Sequence, residues 1–369
     1  MPEWILLALF LFSLVIQCFY YLWIYIRLPL FKPGKKKNST KGVSVIICAR
    51  NEADNLEKFL PLILEQEYPE FEVVVVNDRS TDHTEEVLSK MKTRHDHLRY
   101  TNIPVNEKFS QGKKLALTIG LKSARYDHVL LTDADCYPAG KLWLQSMTCK
   151  LEGKKDIILG YGRYEREKGL LNTIIRYETV FTALQYFSFA LKGLPYMGVG
   201  RNLAYRKEIF FENRGFSSHY HIASGDDDLF VNQNANRSNT SIEIDMESHT
   251  ISIPKKSAGA WFRQKRRHLT AGSLYSKGSK FRLGIELISR IFLYTSYIII
   301  SVSGLWLWPA TILFGLFLAI RLSIFKLGMM RLNEKFLLLS SFILDPILPL
   351  VLGVIWISNF FASKKQPWS

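Results

Sequence analysis

Two carboxylates follow an apolar run in a pattern that suits a hard metal ion. Asp133 and Asp135 are separated by one alanine, and the preceding residues, Tyr126 to Leu131, are typical of a buried strand. Both side chains can therefore reach one cation from a single turn. Mg²⁺ and Mn²⁺ take oxygen ligands and complete their shells with waters and substrate phosphates. An Asp-rich solvated turn is the alternative when this pattern is considered alone.

Other polar segments follow predicted strands or begin predicted helices. They are Ala49-Arg50-Asn51-Glu52, Asn77-Asp78-Arg79-Ser80-Thr81-Asp82 and Gln111-Gly112-Lys113-Lys114. The last offers lysines and backbone amides to an anion. Local roles are the alternative, with Asn51 and Thr81 as N-caps and Asp78 in an Asx-turn. The polar loops after the strands share one sheet edge with Asp133, which favours a ligand site.

The middle of the chain alternates between strand and helix patterns. The periodicity predicts strands over 43–48, 71–76 and 126–131, and helices over 52–65, 81–93 and 112–123. Such βαβ spacing predicts an α/β domain with a mostly parallel, right-handed, Rossmann-like sheet.

The N-terminus predicts a transmembrane helix over residues 1–28. Residues 4–26 are apolar and uncharged, and Met1-Pro2-Glu3 lacks the basic start of a signal peptide. Basic residues follow at once, namely Arg27, Lys32, Lys35, Lys36, Lys37 and Lys41. The positive-inside rule therefore predicts that the next domain faces the cytosol. Unpaired cysteine spacings agree with a reducing compartment.

The C-terminal part predicts a transmembrane region of about three helices over 285–361, after an interfacial segment over 271–284. Residues 285–320 suit two spans broken near Trp308-Pro309, and residues 336–361 suit a third. Arg321, Lys326, Arg331 and Lys335 are expected in a positive loop on the cytosolic side, whereas Lys364 and Lys365 would lie outside. Asp345 is either a functional intramembrane acid or part of helix-kink packing beside Pro346 and Pro349.

Four motifs in order resemble family-two glycosyltransferases of the GT-A fold. They are Val43-Ser44-Val45-Ile46-Ile47-Cys48-Ala49-Arg50-Asn51-Glu52, Val76-Asn77-Asp78-Arg79-Ser80-Thr81-Asp82, Gly112-Lys113 and Thr132-Asp133-Ala134-Asp135. The resemblance implies a GT-A domain over 42–270. It also implies that Glu52 and Asp78 hold the nucleoside of the donor, that Lys113 lies near its diphosphate, and that Asp133 and Asp135 face the metal.

Ser224-Gly225-Asp226-Asp227-Asp228-Leu229 resembles the Thr-Glu-Asp-x-Asp-Leu segment of processive members. The resemblance implies Asp226 as the catalytic base when the Asp-Leu ends are aligned, and Asp227 when Gly225 sets the register. A helix start, with Ser224 as the cap and acids in the first turn, is the structural alternative.

Gln264-Lys265-Arg266-Arg267-His268 resembles the Gln-x-x-Arg-Trp motif of cellulose, hyaluronan and poly-N-acetylglucosamine synthases. Gln264 and Arg267 share a helix face, so Arg267 can meet the leaving diphosphate. His268 replaces the tryptophan, which argues against a processive enzyme. Lys265 and Arg266 are expected to touch lipid headgroups.

The segment between these motifs supplies further candidates. Arg201 and Asn202 are site candidates, with Arg201 expected to bind the donor, although the resemblance implies that this region shapes the acceptor side. Phe181, Tyr186 and Phe187, in an amphipathic stretch, are expected to pack towards the membrane.

The combined expectation is a multi-pass integral membrane glycosyltransferase with a cytosolic catalytic domain, in the plasma or inner membrane if bacterial. It would use a UDP- or GDP-sugar with Mg²⁺ or Mn²⁺, and invert the anomeric centre. The acceptor is a growing polysaccharide or a polyprenyl-phosphate or other lipid. The net charge of +15 agrees with phosphate and lipid partners rather than nucleic acid. A non-catalytic scaffold that keeps the nucleotide-sugar fold is the alternative from another class.

Overall fold

The protein is described by a computed structural model covering residues 3–34, 39–104, 112–151, 153, 155–222, 224–359 and 361. Predictions about Lys35, Lys36, Lys37, Gln111, Lys364 and Lys365 fall outside the described residues.

A mostly parallel sheet of seven strands forms the centre of the domain that follows the first apolar helix. The strands of the described residues are β1 Val43–Ala49, β2 Phe71–Asp78, β3 Leu98–Ile103, β4 His128–Asp133, β5 Cys136–Pro138, β6 Ile157–Leu159, β7 Gly162–Tyr164, β8 Leu203–Arg206, β9 Thr240–Ile242 and β10 Thr250–Ser252. The order in the main sheet is β3-β2-β1-β4-β8-β6-β9, with β8 antiparallel to both neighbours. A smaller sheet has the order β5-β10-β7.

Helices cover both faces of the main sheet. They are α3 Ala53–Leu64, α4 Thr84–Lys92, α5 Lys113–Ser123, α6 Trp143–Thr148, α7 Leu170–Lys192, α8 Lys207–Glu212, α9 Asp228–Asn234 and α10 Ala258–His268. The three predicted helices correspond to α3, α4 and α5. The predicted caps are wrong, because Glu52 and His83 hold the N-cap positions of α3 and α4.

Alternating residues of β1 feed two hydrophobic clusters. Val43, Val45 and Ile47 pack into one, and Ile46 and Cys48 pack into the other, as the two-residue period of a strand requires. The second cluster continues through α7 into the apolar helices at the chain ends. Phe181, Tyr186 and Phe187 of α7 are buried in this core, so their predicted membrane-facing position is wrong.

Among the described residues, four helical segments have the length and composition to cross a membrane. The first runs from Glu3 to Leu30, through α1 Glu3–Phe19, a π-helical segment Tyr20–Tyr25 and α2 Arg27–Leu30. The others are α11 Lys277–Ser303, α12 Leu307–Arg331 and α13 Ser341–Ser358. Together they place apolar helices at both ends of the α/β domain, as predicted.

The boundaries of these helices differ from the predicted ones. The chain breaks at Gly304, whose φ of 72° favours glycine, and not at Trp308-Pro309. Pro309 falls in the first turn of α12, where a missing N–H costs nothing. Only a short 3₁₀ turn, Ala271–Leu274, lies within the predicted interfacial segment before α11 starts at Lys277.

A buried ionic network joins α11, α12 and α13. Arg321 Nε lies 3.0 Å from one oxygen of Asp345, and Arg290 Nη1 lies 3.3 Å from the other. The hydroxyls of Tyr177 and Tyr294 donate hydrogen bonds to the same carboxylate. Asp345 therefore serves helix packing.

The predicted positive loop is shorter than expected. Arg321 and Lys326 lie inside α12, and Arg331 is its last residue. Lys335 alone of the four lies in the connection between α12 and α13. The apolar periodicity did not predict where the loop begins, because α12 continues past the charged residues Arg321 and Lys326. Arg321 is neutralised inside the helix bundle by its ion pair with Asp345.

Candidate active site

The loops at the carboxyl ends of β1, β2 and β4 lie side by side. The pairing of β1 with β4 sets Cys48 opposite Asp133. Asn51 accepts a hydrogen bond from the Thr81 backbone and its own N–H donates to Ser80 Oγ, which ties the β1 loop to the β2 loop. The right-handed connections of a parallel sheet bring these loops to one edge.

The predicted metal ligands, Asp133 and Asp135, form a compact group of possible ligand atoms with Cys136. Ligand atoms of Asp133, Asp135 and Cys136 all lie within 4.8 Å of one another. Burial raises the pKa of the Cys136 thiol well above its usual range, and the thiol lies 2.9 Å from Ser252 Oγ. The thiol therefore stays protonated, and two carboxylates remain as ligands. That donor chemistry fits Mg²⁺ or Mn²⁺.

Burial, and then the charge of Asp133, raises the pKa of Asp135 above its usual range. Two carboxylates so close together disfavour each other's ionisation. A divalent cation between them would remove this repulsion, which is a physical reason for the pair to bind one.

Lys113 connects the metal-ligand pair to the later acidic motif. Its Nζ lies 2.6 Å from Asp133 Oδ1 and 3.0 Å from Asp226 Oδ2. Burial disfavours the charged ammonium, but the attraction of these two carboxylates outweighs it and raises the pKa of Lys113. The lysine at the start of α5 is thus a fixed positive charge between two acids.

The three consecutive acids of the second motif have different partners. Asp227 caps α9, accepting from the backbone N–H of Asp228 with one oxygen and from that of Gly200 with the other. Asp228 Oδ2 accepts from the Tyr275 hydroxyl at 2.8 Å. Asp226 has Lys113 as its side-chain partner and lines the cavity. Ser224 is not the cap of α9, and its hydroxyl instead donates to the Arg267 carbonyl.

The same three acids differ in protonation. Burial disfavours the charged form of Asp226, but Lys113 outweighs this and lowers its pKa. Burial, then the charge of Asp226, raises the pKa of Asp227 to about 6. Burial, then the charge of Asp227, raises the pKa of Asp228 to about 8.

Helix α10 contributes part of the wall of the site. Gln264 and Arg267 line the cavity, as the shared helix face predicts. Lys265 also lines it, and its ammonium lies 2.6 Å from Glu178 of α7. The predicted lipid contact of Lys265 is therefore wrong, because the residue points into the protein. Glu178 gave no signal in the sequence, since only the packing of α7 brings it to the site.

One cavity of about 750 Å³ collects most of the predicted site residues. Its lining includes Glu52, Lys113, Asp133, Asp135, Arg201, Asp226, Asp227, Gln264 and Arg267. His268 and the previously unassigned Lys255 and Tyr275 are also in the lining. Burial raises the pKa of Glu52 to about 7, although a hydrogen bond from Asn55 opposes the shift.

Asp78 is the exception among the residues predicted to bind the sugar donor, because it does not line the cavity. Its side chain is fully buried, does not line the cavity and forms an ion pair of 2.7 Å with Arg79. Its second oxygen, Oδ2, is buried without a hydrogen-bond partner in the described part of the chain. The structure thus places Asp78 beneath the site and not at its surface.

Arg201 and Asn202, neighbours in the sequence, have separate roles. Arg201 lines the cavity and stacks on Tyr164, with 4.4 Å from the guanidinium carbon to the ring centroid. A Cβ at Gly162 would lie 2.4 Å from Arg201 Nε, so glycine is needed for this position. Asn202 is wholly buried and accepts from Trp143 Nε1 at 3.0 Å, which makes it a packing residue.

Comparison with known proteins shows what the domain is similar to. Residues 44–212 match the sequence model of Glycosyl transferase family 2. This part of the chain is therefore similar to family 2 glycosyl transferases. The matched range starts in β1 and ends with α8, so it contains Glu52, Asp78, Lys113, Asp133, Asp135 and Arg201.

Curated relatives resemble part of this chain. A poly-β-1,6-N-acetyl-D-glucosamine synthase of Staphylococcus epidermidis is 35% identical over 109 residues, which is 30% of this chain and 25% of the relative. The synthase of Staphylococcus aureus strain MSSA476 is 33% identical over 104 residues, 28% of this chain and 24% of the relative. The chain thus matches about a quarter of the length of these relatives.

A solved structure resembles this chain over nearly its full length. A mannosyltransferase of Pyrobaculum calidifontis, PcManGT, solved with GDP-Man and Mn²⁺, has a TM-score of 0.60 and 21% identity. The match covers 94% of this chain and 99% of that one. The predicted GT-A fold with apolar helices at its ends is therefore confirmed. Asp226, Gln264 and Arg267 lie beyond the range of the family match, and the fold alone brings them to the cavity.

Proposed function

We propose that this chain is a membrane-bound inverting glycosyltransferase. It moves a sugar from a nucleotide-diphosphate sugar, a UDP- or GDP-sugar, to a saccharide or lipid-linked acceptor. The observation that carries the proposal is the single cavity that holds the Asp133–Asp135 pair, Asp226 and the Gln264–Arg267 face together. A metal-ligand pair, a candidate base and a fixed cation are the groups that this reaction needs.

The donor binds at the edge where the strand loops meet. Asp133 and Asp135 would hold Mg²⁺ or Mn²⁺, which would supply positive charge to the donor diphosphate. Glu52 faces the nucleoside, whereas Asp78 acts from below by fixing the β2 loop through Arg79. The similar mannosyltransferase was solved with GDP-Man and Mn²⁺, which supports this class of donor and ion.

Arg267 and Lys113 supply positive charge where negative charge develops. As the bond from the anomeric carbon to the phosphate oxygen breaks, its electron pair leaves with the nucleoside diphosphate. A guanidinium can donate hydrogen bonds to two phosphate oxygens at once. A preorganised hydrogen-bond donor of this kind raises the rate by about 10²–10³. Arg267 lines the same cavity as the metal-ligand pair, where it can face the leaving group.

Asp226 is the proposed general base. It takes the proton from an acceptor hydroxyl, whose oxygen forms the new bond to the anomeric carbon from the face opposite the diphosphate. Asp227 is unsuited to this role because both of its oxygens accept backbone hydrogen bonds. Without donor, Lys113 holds Asp226 ionised. When the donor arrives, the diphosphate competes for Lys113, and Asp226 becomes a stronger base.

Either acceptor class is compatible with the site. The curated relatives are poly-β-1,6-N-acetyl-D-glucosamine synthases, which supports a saccharide acceptor. His268 lines the cavity and stands where the Gln-x-x-Arg-Trp motif of the synthases has tryptophan. This difference supports a single transfer to a lipid-linked acceptor. The two differ in product length.

The basic residues support a cytosolic orientation of the domain. Arg331 at the end of α12 donates to the Pro29 carbonyl at 3.0 Å, so these helix ends lie together. Glu334, just after α12, pairs with Arg176 of the domain helix α7. The ends of the first span and of α12 are therefore on the domain side, and they carry Arg27, Lys32 and Arg331. The positive-inside rule assigns that side to the cytosol.

The test uses the full chain in detergent. The protein is incubated with a panel of UDP- and GDP-sugars and Mg²⁺ or Mn²⁺, and the released diphosphate and the size of the labelled product are measured. Long chains indicate polysaccharide synthesis, and one sugar on lipid indicates single transfer. Asp226→Asn is the matched control. Absence of diphosphate release across the panel, in protein that still binds nucleotide, would favour the scaffold alternative.

A further inference from the structure

A second cavity, of about 310 Å³, shares Tyr164 with the first but is not lined by Asp133 or Asp135. Its walls come from β7 and the following residues, from α7, and from the connection between α12 and α13. This is the place where the domain meets the ends of two predicted spans on the domain side. None of the roles assigned above explains its chemistry.

The acids of this cavity already have partners. Glu334 is buried, pairs with Arg176 and lies 3.3 Å from the Tyr161 hydroxyl. Glu165 accepts a hydrogen bond of 2.7 Å from the Tyr137 hydroxyl. Neither carboxylate forms an ion pair with the other cations of the cavity among the described residues.

Three cations of the cavity lie outside the Arg176–Glu334 ion pair, although Glu334 attracts one of them, Arg163, at longer range. Arg163, Arg166 and Lys335 line it, and none has a carboxylate within ion-pair distance in the described part of the chain. Arg163 Nε is buried and makes no hydrogen bond there, so a polar ligand would remove a desolvation cost. Arg166 stacks on the ring of Phe336 at 4.0 Å, which fixes its guanidinium at the rim.

Exposed apolar side chains stand beside these cations. Phe336 and Leu339 are 70% and 82% exposed, and both lie in the short connection between α12 and α13. Leu170, at the start of α7, is 73% exposed. Large side chains exposed at the end of a membrane span suit the boundary between headgroups and acyl chains.

We propose that this cavity binds the phosphate group of an anionic phospholipid from the leaflet beside the domain. Arg163, Arg166 and Lys335 contact the phosphate oxygens, and Phe336 and Leu339 lie against the acyl chains. Planar guanidinium groups suit phosphate oxygens, and basic pockets beside spans on this side of a membrane attract anionic headgroups. The bound lipid would hold the α12–α13 connection against the domain. This proposal does not depend on the glycosyltransferase reaction.

Binding to the full chain in an uncharged detergent tests the proposal. The probes are dioctanoyl phosphatidylglycerol, dioctanoyl phosphatidylcholine and inorganic phosphate, measured by native mass spectrometry. Arg163→Gln/Lys335→Gln should bind phosphatidylglycerol roughly 30-fold more weakly, at about fivefold for each charge removed. Lys277→Gln/Lys280→Gln loses the same charge at the start of α11 and should bind as the wild type does.

Two further variants separate the sources of the phosphate. Phe336→Ala/Leu339→Ala should weaken phosphatidylglycerol and leave inorganic phosphate unchanged, if the acyl chains contribute. A second charge variant, Arg166→Gln/Lys335→Gln, changes only exposed side chains. A loss of lipid binding in this variant would therefore not result from misfolding. Equal affinity for inorganic phosphate and phosphatidylglycerol would overturn the lipid assignment. Unchanged lipid affinity in both charge variants, or equal loss in the α11 control, would overturn the site.

Discussion

The backbone N–H of Gly200 donates a hydrogen bond of 2.6 Å to Oδ2 of Asp227. The other carboxylate oxygen accepts from the N–H of Asp228, so both oxygens of Asp227 are engaged by the backbone. This contact favours Asp226 as the proposed base, a choice that the register of the Ser224–Leu229 motif leaves open between Asp226 and Asp227. The structure supports Asp226, which faces the cavity beside Lys113.

Asp226→Asn should abolish sugar transfer and leave donor binding intact. Loss of a positioned base costs about 10²–10⁴ in rate, whereas the amide keeps the shape of the side chain. Asp227→Asn is the matched comparison, and it should mainly lower stability, by about 1 kcal/mol for a weakened cap. Transfer rates, nucleotide affinity and melting temperatures of both variants check this. A normal rate in Asp226→Asn would move the base elsewhere.

Asp135→Ala should remove the metal dependence of donor binding. One of two carboxylate ligands is lost, so the affinity for UDP or GDP in the presence of Mn²⁺ should fall by at least about tenfold. Without metal, the variant and the wild type should bind alike. Calorimetric titrations with and without Mn²⁺ measure both values. Asp54→Ala, at an exposed position of α3, is the control. Equal affinity of Asp135→Ala and wild type with metal would contradict the ligand role.

Arg267→Ala should slow transfer more than it weakens nucleotide binding. The proposed contact strengthens as charge develops on the leaving diphosphate, so the loss should fall on kcat, by about 10²–10³. Arg267→Lys keeps the charge but not the two-oxygen geometry, and should lie between alanine and wild type. Steady-state kinetics with the preferred donor separate kcat from KM. A change confined to KM would indicate ground-state binding only.

The stability of the protein should decrease as the pH rises, because Asp228 becomes ionised. Burial, then the charge of Asp227, raises its pKa from an ordinary value of 3.8 to about 8. A raised carboxyl pKa favours folding while the group is protonated, and this contribution is lost between about pH 4 and pH 8. Between pH 5 and 8.5, the melting temperature of the wild type should therefore decline relative to Asp228→Asn, which stays neutral. Parallel curves for the two proteins would rule out this titration, and Asp54→Asn serves as the control.

Asp345→Asn should destabilise the helix bundle. The substitution removes the counter-charge of Arg321, which is 1% exposed, and one counter-charge of Arg290. Breaking a buried ion pair on one side costs about 3–5 kcal/mol, whereas replacing both partners can be nearly neutral. Thermal unfolding in detergent should show a large loss in Asp345→Asn and partial recovery in Arg321→Leu/Asp345→Leu. Equal losses in the two variants would argue against a coupled pair.

Much of the fold and of the candidate site was predictable from local patterns. The alternation of strands and helices, the apolar ends and the spacing of Asp133 and Asp135 depend on neighbours in the chain. For the same reason, Gln264 and Arg267 could be placed on one helix face. Helix ends were less predictable, because α12 runs past charges that are visible in the sequence but neutralised only in the bundle.

Tertiary structure alone decided the roles that depend on distant partners. Glu178 meets Lys265 because α7 packs beside α10, and Asp78 is buried with Arg79 beneath the loop that it was expected to line. The sequence by itself determined which chemical groups the chain contains and in what order, because types and spacings are local. Which carboxylate is open to a substrate and which is occupied depends on backbone N–H groups such as that of Gly200, which only the folded chain brings within reach.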